Sequence, residues 1–340
     1  MPVKPPTIKE IAKRLSISVS TVSRALHNHK SIGLRTRMRV QELAKELNYE
    51  PNQTAIFFQQ RKTFTIGVII PFLSELFFST AINGIEDVAQ KNQYTVLLGQ
   101  SRDDAERERQ IVETMKKHRV DGLLVSLSKN TSSFDHFVAL KNSGVPVVFF
   151  DCIPNISDIH YVACNMVSGT VQAISYLLKL GHRVIGLING PEKLYASKER
   201  LQGYQLAMSK HRLKFDPSLI VNTDLSPQGT YDATQKLLSY KRKVTAIVTF
   251  NDYAGMDAMH YAKQKKVRIN KDIFFVSYSN IPLAHYLKYS PIASVEQHPY
   301  QQGLKAAEML IELLNKKEES ATSNYKIIID SQLVVYDDKG

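Results

Sequence analysis

The chain has 340 residues, 43% of them apolar and 22% charged, and carries a net charge of +12. That length suits one small domain and one large one, and the ordinary composition argues against a disordered or fibrous chain. No apolar run approaches the roughly 18 residues of a membrane span. Met1–Pro6 leads into a charged helical pattern, so neither a membrane anchor nor a secretory leader is expected. Cys152 and Cys164 are too few for a disulfide framework and lack metal-ligand spacing. They are expected as buried structural thiols in a reducing, cytoplasmic compartment. There is no Gly-x-Ser-x-Gly, glycine-rich phosphate loop or metal-spaced His/Cys group. An enzyme, a cofactor and a metal are therefore not expected.

The charge is concentrated at one end. Residues 1–62 hold twelve Lys/Arg and four acids, a net +8 of the chain's +12. A compact positive field is what binding to a phosphate backbone requires, because each neutralised phosphate releases counterions. In chain order, Thr7 with Glu10 can cap a first helix bearing Ile8, Ile11, Ala12 and Leu15. Ser16-Ile17-Ser18 interrupts it. Val19–Leu26 forms a second helix with Val22, Ala25 and Leu26 inside. A third, about Thr36–Leu47, carries Val40, Leu43, Ala44 and Leu47. Three short helices with a tight turn between the first two make a helix-turn-helix head.

The blocks Thr7-Ile8-Lys9-Glu10-Ile11-Ala12, Val19-Ser20-Thr21-Val22-Ser23-Arg24-Ala25-Leu26 and Leu47-Asn48-Tyr49-Glu50-Pro51-Asn52 resemble the head of the lactose-repressor (LacI/GalR) family. The resemblance implies that Val19–Leu26 is the recognition helix. Val19, Ser20 and Arg24 then face base edges, with Arg24 able to pair bidentately with guanine. Thr7, Thr21 and Ser23 are expected at the DNA backbone. The same likeness makes 51–62 a hinge helix and linker, with Asn52 as its cap and Asn52, Ala55 and Phe58 at the DNA. Phe58 stands where the family usually has a leucine wedge for the minor groove. Domain 1–50 would be the head and 63–340 the effector-binding and dimerisation domain.

From Phe64 onward, β-rich runs alternate with helical patterns. The runs include Thr65–Pro71, Tyr94–Gly99, Gly122–Ser126, Val145–Asp151, Val184–Asn189, Ala246–Thr249, Ile273–Tyr278 and Ile327–Val335. Such alternation predicts parallel sheets wound by helices. Thr65–Ile69 resembles Val184–Ile188, and Val120–Val125 resembles Val244–Val248, so two similar α/β halves enclosing a ligand cleft are expected. The layout is similar to a periplasmic sugar-binding protein. With the head, the fold class is an α-helical helix-turn-helix domain plus hinge helix, followed by a periplasmic-binding-protein-like α/β domain of two parallel-sheet subdomains. Crossovers between the halves are expected near 163, 294 and 325.

Carried over by that resemblance, the cleft draws on Phe77, Phe78, Asp151, Arg200, Asn251, Ser279 and Gln297. Aromatic faces with converging polar groups suit a sugar or sugar derivative. Where relatives often place acids, this chain has Cys164 and Ser279. Asp151 is then the one acid assigned to the cleft, and Arg200 would favour an anionic ligand. Taken together, a sequence-specific regulator is expected, a repressor binding a near-palindromic double-stranded operator as a homodimer and controlled by a small effector. Control by a protein partner or a non-sugar metabolite, or action as an activator, is the alternative. A periplasmic solute-binding protein would have a leader and no basic head. Lys241-Arg242-Lys243 and Lys263-Gln264-Lys265-Lys266 are expected as solvated surface.

Overall fold

The computed structural model describes residues 6–50, 62–316 and 324–336. The chain divides into two compact units between Thr63 and Phe64. The hinge expectations at Asn52, Ala55 and Phe58 lie outside the described residues.

Among the described residues the small unit has three helices, α1 (Ile8–Leu15), α2 (Val19–Leu26) and α3 (Leu34–Glu46). Thr7 caps α1, its hydroxyl accepting from the Glu10 amide at 3.3 Å. Glu10 turns instead to Arg14, at 2.6 Å, so the capping box is half-formed. Ser16 ends α1 in the left-handed region, φ 54°, and Ser18 caps α2 through the Thr21 amide at 3.1 Å. Helix α3 begins two residues before the expected Thr36 because Gly33 serves as its N-cap without a side chain to announce it. Ile11, Ala12, Val22, Ala25, Val40 and Ala44 meet in one buried core.

Among the described residues the large unit holds twelve strands in two six-stranded sheets. The first has order β11-β5-β4-β3-β1-β2. Its strands are β1 (Thr65–Ile70), β2 (Thr95–Gln100), β3 (Gly122–Val125), β4 (Val147–Phe150), β5 (His160–Cys164) and β11 (Lys326–Ile329). The second has order β12-β10-β9-β8-β6-β7. It is built from β6 (Ile185–Asn189), β7 (Ile220–Asn222), β8 (Ala246–Thr249), β9 (Phe274–Tyr278), β10 (Ala293–Glu296) and β12 (Gln332–Val335). The two orders are the same pattern. The similar segments found in the sequence occupy equivalent places, β1 with β6 and β3 with β8. Central strands such as Gly122–Val125 and Ala246–Thr249 are buried throughout, as expected when helices cover both faces of a parallel sheet. Every pairing is parallel except β10 with β12.

Helices α4 (Leu76–Lys91), α5 (Ala105–Lys117) and α6 (Asp135–Asn142) link strands of the first half. Helices α7 (Met166–Lys179), α8 (Tyr195–Lys210), α9 (Pro227–Leu238) and α10 (Asp252–Gln264) serve the second. Helix α11 (Pro299–Asn315) follows β10 yet packs in the core of the first half, beside α4. The crossing is close. A Cβ on Gly303 would lie 1.9 Å from the Ala81 carbonyl oxygen, so only glycine fits without displacement.

The chain passes between halves after Cys164, around Gln297-His298 and at Asp330-Ser331. The third passage corrects the expected position near 325. The run Ile327–Val335 is two strands in different sheets, because β11 pairs with β5 before the chain crosses. The first and third passages are tied together. The Asn165 amide donates to the Ile329 carbonyl at 2.8 Å, and the Ser331 hydroxyl donates to the Asn165 carbonyl at 2.9 Å. No described helix is long and apolar enough to cross a membrane.

Candidate functional site

Within the small unit, α2 buries Val22 and Ala25 and turns its other face outward. Val19 is 40% exposed, an unusual position for a large apolar side chain. Ser20 and Arg24 are also exposed, and Thr21 and Ser23 are half-buried. The Ser20 and Thr21 hydroxyls each lie 2.8 Å from the Ser18 hydroxyl, so the cap already orders them. Thr7 is exposed at the start of α1.

Within the large unit, a cavity of about 580 Å³ lies between the two sheets. Its walls come from the carboxyl ends of the strands. Pro71 follows β1, Asp103 follows β2, Asp151 follows β4, Asn251 follows β8, Ser279 follows β9 and Gln297 follows β10. Parallel strands of the two halves end facing each other, which is where open α/β sheets bind ligands. All seven expected cleft residues line this cavity.

Phe77 and Phe78 open α4 and pack edge to face, ring centroids 5.3 Å apart. They are at once cavity wall and part of the buried core. Asp151 adopts the left-handed conformation, φ 57°, which aspartate tolerates better than most residues. Burial pushes its carboxyl up to about 6 despite the nearby Arg200 charge and a bond from the Ser126 hydroxyl. Asn251 caps α10, its side-chain oxygen accepting from the Ala254 amide at 2.9 Å. Ser279 and Gln297 lie 3.5 Å apart, hydroxyl to side-chain oxygen.

Arg200 is 2% exposed. Its guanidinium is sandwiched between the rings of Phe250 and Tyr278, at 4.0 and 4.3 Å from their centroids. It donates to the Ala196 and Phe250 carbonyls, each at 3.1 Å, while Nε is buried without an acceptor. Asp252, which follows Asn251, does not reach the cavity. It is buried beside it, accepting from the Ser277 hydroxyl, the Ser294 hydroxyl at 3.0 Å and the Ile281 amide at 2.8 Å.

Two sequence expectations need correction. Asp151 is not the one acid, because Glu75, Asp103 and Glu199 also line the cavity. Burial, then the charges of Asp103 and Asp151, raise the Glu75 carboxyl to about 7. Cys164 is buried as expected, but Cys152 is not fully so. Both line the cavity. Burial and Asp151 push both thiols up, so neither is a reactive thiolate.

Sequence reasoning also missed Lys129, whose ammonium spans the two halves. It lies 3.4 Å from Asp103 and donates to the Asp224 carbonyl at 3.0 Å. Lys129 sits in an irregular loop where no periodicity marks it. Phe250 had a signal, since it directly precedes Asn251.

Two family descriptions match the chain. "Bacterial regulatory proteins, lacI family" covers residues 7–52. "Periplasmic binding proteins and sugar binding domain of LacI family" covers 63–333. The HTH-type transcriptional repressor PurR of Vibrio cholerae is 30% identical, over 92% of both chains. The ribose operon repressor of Haemophilus influenzae is 29% identical, over 95% of both. The crystal structure of the Lac repressor dimer bound to operator shares the fold, with a TM-score of 0.82 at 23% identity, covering 97% of this chain and 98% of that one. With a helix-turn-helix head, two matching α/β halves and a cavity at their facing strand ends, the chain belongs to the LacI family of DNA-binding transcription regulators.

Proposed function

We propose that this regulator is a repressor that binds a near-palindromic operator as a homodimer and is controlled by a sugar-like effector bound between the two α/β halves. The observation that carries the effector reading is the cavity. Its roughly 580 Å³ suits a small ligand. Phe77 and Phe78 offer apolar faces for a ring, and Asp151, Arg200, Asn251, Ser279 and Gln297 surround it with directional polar groups. The ribose operon repressor among its relatives supports a sugar effector.

In the head, Val19, Ser20 and Arg24 read base edges, and Thr7, Thr21 and Ser23 hold the backbone. Asn52, Ala55 and Phe58 of the hinge belong to the same interface by family resemblance. A two-fold operator follows from one head reading one half-site, since pairing doubles the contacts.

Genome-wide mapping of bound sites would supply the operator, and footprinting would show its symmetry. Arg24→Ala should lose about 1–3 kcal/mol of specific binding with little change on random DNA. Titrating the operator complex with a panel of pentoses and hexoses should release or tighten it with at least one sugar. A single asymmetric site bound by one protomer would refute the dimer. Indifference to every sugar, with a response to another metabolite class, would refute the effector reading.

A further inference from the structure

The cavity walls carry four carboxyls, Glu75, Asp103, Asp151 and Glu199, against two cations, Lys129 and Arg200. Both cations are engaged. Lys129 is held by Asp103 and the Asp224 carbonyl. Arg200 lies between two rings, and of the cavity carboxylates Asp151 acts on it more strongly than Glu199. Glu199 accepts from the Tyr195 hydroxyl and the Met166 amide. That leaves Glu75, whose carboxyl makes no ion pair or hydrogen bond among the described residues, although its backbone bonds Phe72, Phe78 and Ser79. It caps α4 by position without using its side chain, beside Phe77 and Phe78. The charges that act on it are Asp103, Asp151 and Lys129, two of them of its own sign. In the other half, Arg200 Nε is buried without an acceptor. The empty space therefore asks for an acceptor near Arg200 and a positive charge near Glu75.

We propose that the effector carries a protonated nitrogen, as in an amino sugar or an amino-substituted polyol, and that Glu75 is the residue that selects it. This rests on the reading of the cavity as a sugar-like effector site and names the ligand class within it. A carboxylate ligand is disfavoured, because it would join Glu75, Asp103 and Asp151 in a partly desolvated space. A neutral sugar would leave Glu75 without an ionic partner wherever its carboxyl is ionised. An ammonium group supplies one, with a charge-assisted hydrogen bond.

The pH dependence follows. The carboxyl of empty Glu75, raised to about 7, holds its proton over much of the range below neutrality. An ammonium ligand binds the ionised form, so binding expels that proton and weakens as pH falls. Asp103 and Asp151 hold the proton on Glu75 in the empty site, and Lys129 opposes them.

Isothermal titration of the full-length chain against matched triplets tests this. D-glucosamine, D-glucose and D-glucuronate form one triplet, and the galactose and mannose series form two more. The expected result is one series in which the amine binds at least tenfold tighter than the neutral sugar at pH 7. At pH 5.5 that advantage should shrink several-fold, with proton release on binding near pH 6.5. Glu75→Gln should remove the advantage and the proton release, with an unchanged circular dichroism spectrum showing that the variant is folded. A neutral or acidic sugar binding as tightly as its amine overturns the inference and leaves the sugar reading standing. If no member of any triplet binds, this inference is overturned, while the sugar reading is decided separately by the wider pentose and hexose panel.

Discussion

In the first half of the large unit, the segments after β1, β3 and β4 bring Glu75, Lys129 and Asp151 to the cavity. In the second half, those after β6, β8 and β9 bring Arg200, Asn251 and Ser279. The strand orders match position for position. The cores match as well, each sheet buried on both faces under helices. Repetition therefore resides in the apolar strands, and chemistry resides in the loops that end them. One half presents three carboxyls and an ammonium, the other a single carboxyl with a guanidinium and amides. A ligand between them meets two unlike walls and is oriented by the difference, which the shared architecture alone could not provide.

The sharpest way to break the likeness of the halves is at their helix crossings. A Cβ on Gly303, where α11 meets α4, would stand 1.9 Å from the Ala81 carbonyl oxygen. A Cβ on Gly203, where α8 meets α7, would stand 2.6 Å from the Val167 carbonyl oxygen. Backbone cannot rotate aside, so Gly303→Ala should cost about 3 kcal/mol and Gly203→Ala about 2 kcal/mol in urea unfolding. A larger loss at Gly203 would show that the two crossings differ in compliance rather than in closeness.

The next effect sharpens the contrast of charge. Arg200→Ala removes a cation from between two rings and leaves Asp151 without its main opposite charge. About 2 kcal/mol of stability should go with it. Arg200→Lys should restore only part, because an ammonium cannot stack as a plane between Phe250 and Tyr278. Full recovery by lysine would reduce Arg200 to a point charge.

The smallest effect has a sign that depends on pH. Glu75 has a folded-state carboxyl raised to about 7 from an ordinary 4.5. Stability linked to its protonated form is complete below about 4.5 and is lost as pH rises through about 7. Glu75→Gln removes that loss. Variant and parent should unfold alike at pH 4.5 and differ by about 1–2 kcal/mol at pH 8, with the variant more stable. A destabilised variant at pH 8 would mean that Glu75 has a cationic partner in the empty protein.

Much of this was legible from the sequence. The head announces itself through Ile8, Ile11, Val22 and Val40 at helical spacing, and the first sheet through runs such as Thr65–Ile70. Arg200 and Asn251 were found by motif, and each lines the cavity. What stayed hidden has physical causes. Gly33 caps α3 without a side chain. The Ile327–Val335 run reads as one strand, because nothing in its apolar pattern marks the change of sheet at Asp330-Ser331. Glu75 sits just before a helix and Lys129 in an irregular loop, where a charged residue reads as solvated surface. Only the convergence of separate strand ends turns them toward one space.

Helix α11 has a consequence for the order in which the protein can be made. The first half comprises residues from Phe64 to Cys164 and then, after all of the second half except β12, Pro299–Asn315 and Lys326–Ile329. On the ribosome, the second sheet apart from β12 is complete before the first half has received the helix that covers Val148, Phe150 and Val162. Until then, apolar strand faces of the earlier-synthesised half remain uncovered, a condition that invites misassociation or chaperone binding. The half that emerges first should thus wait through most of the second half's synthesis for its covering helix. A nascent chain arrested just after β10 should show protease protection in 166–296 while 64–164 remains open to cleavage.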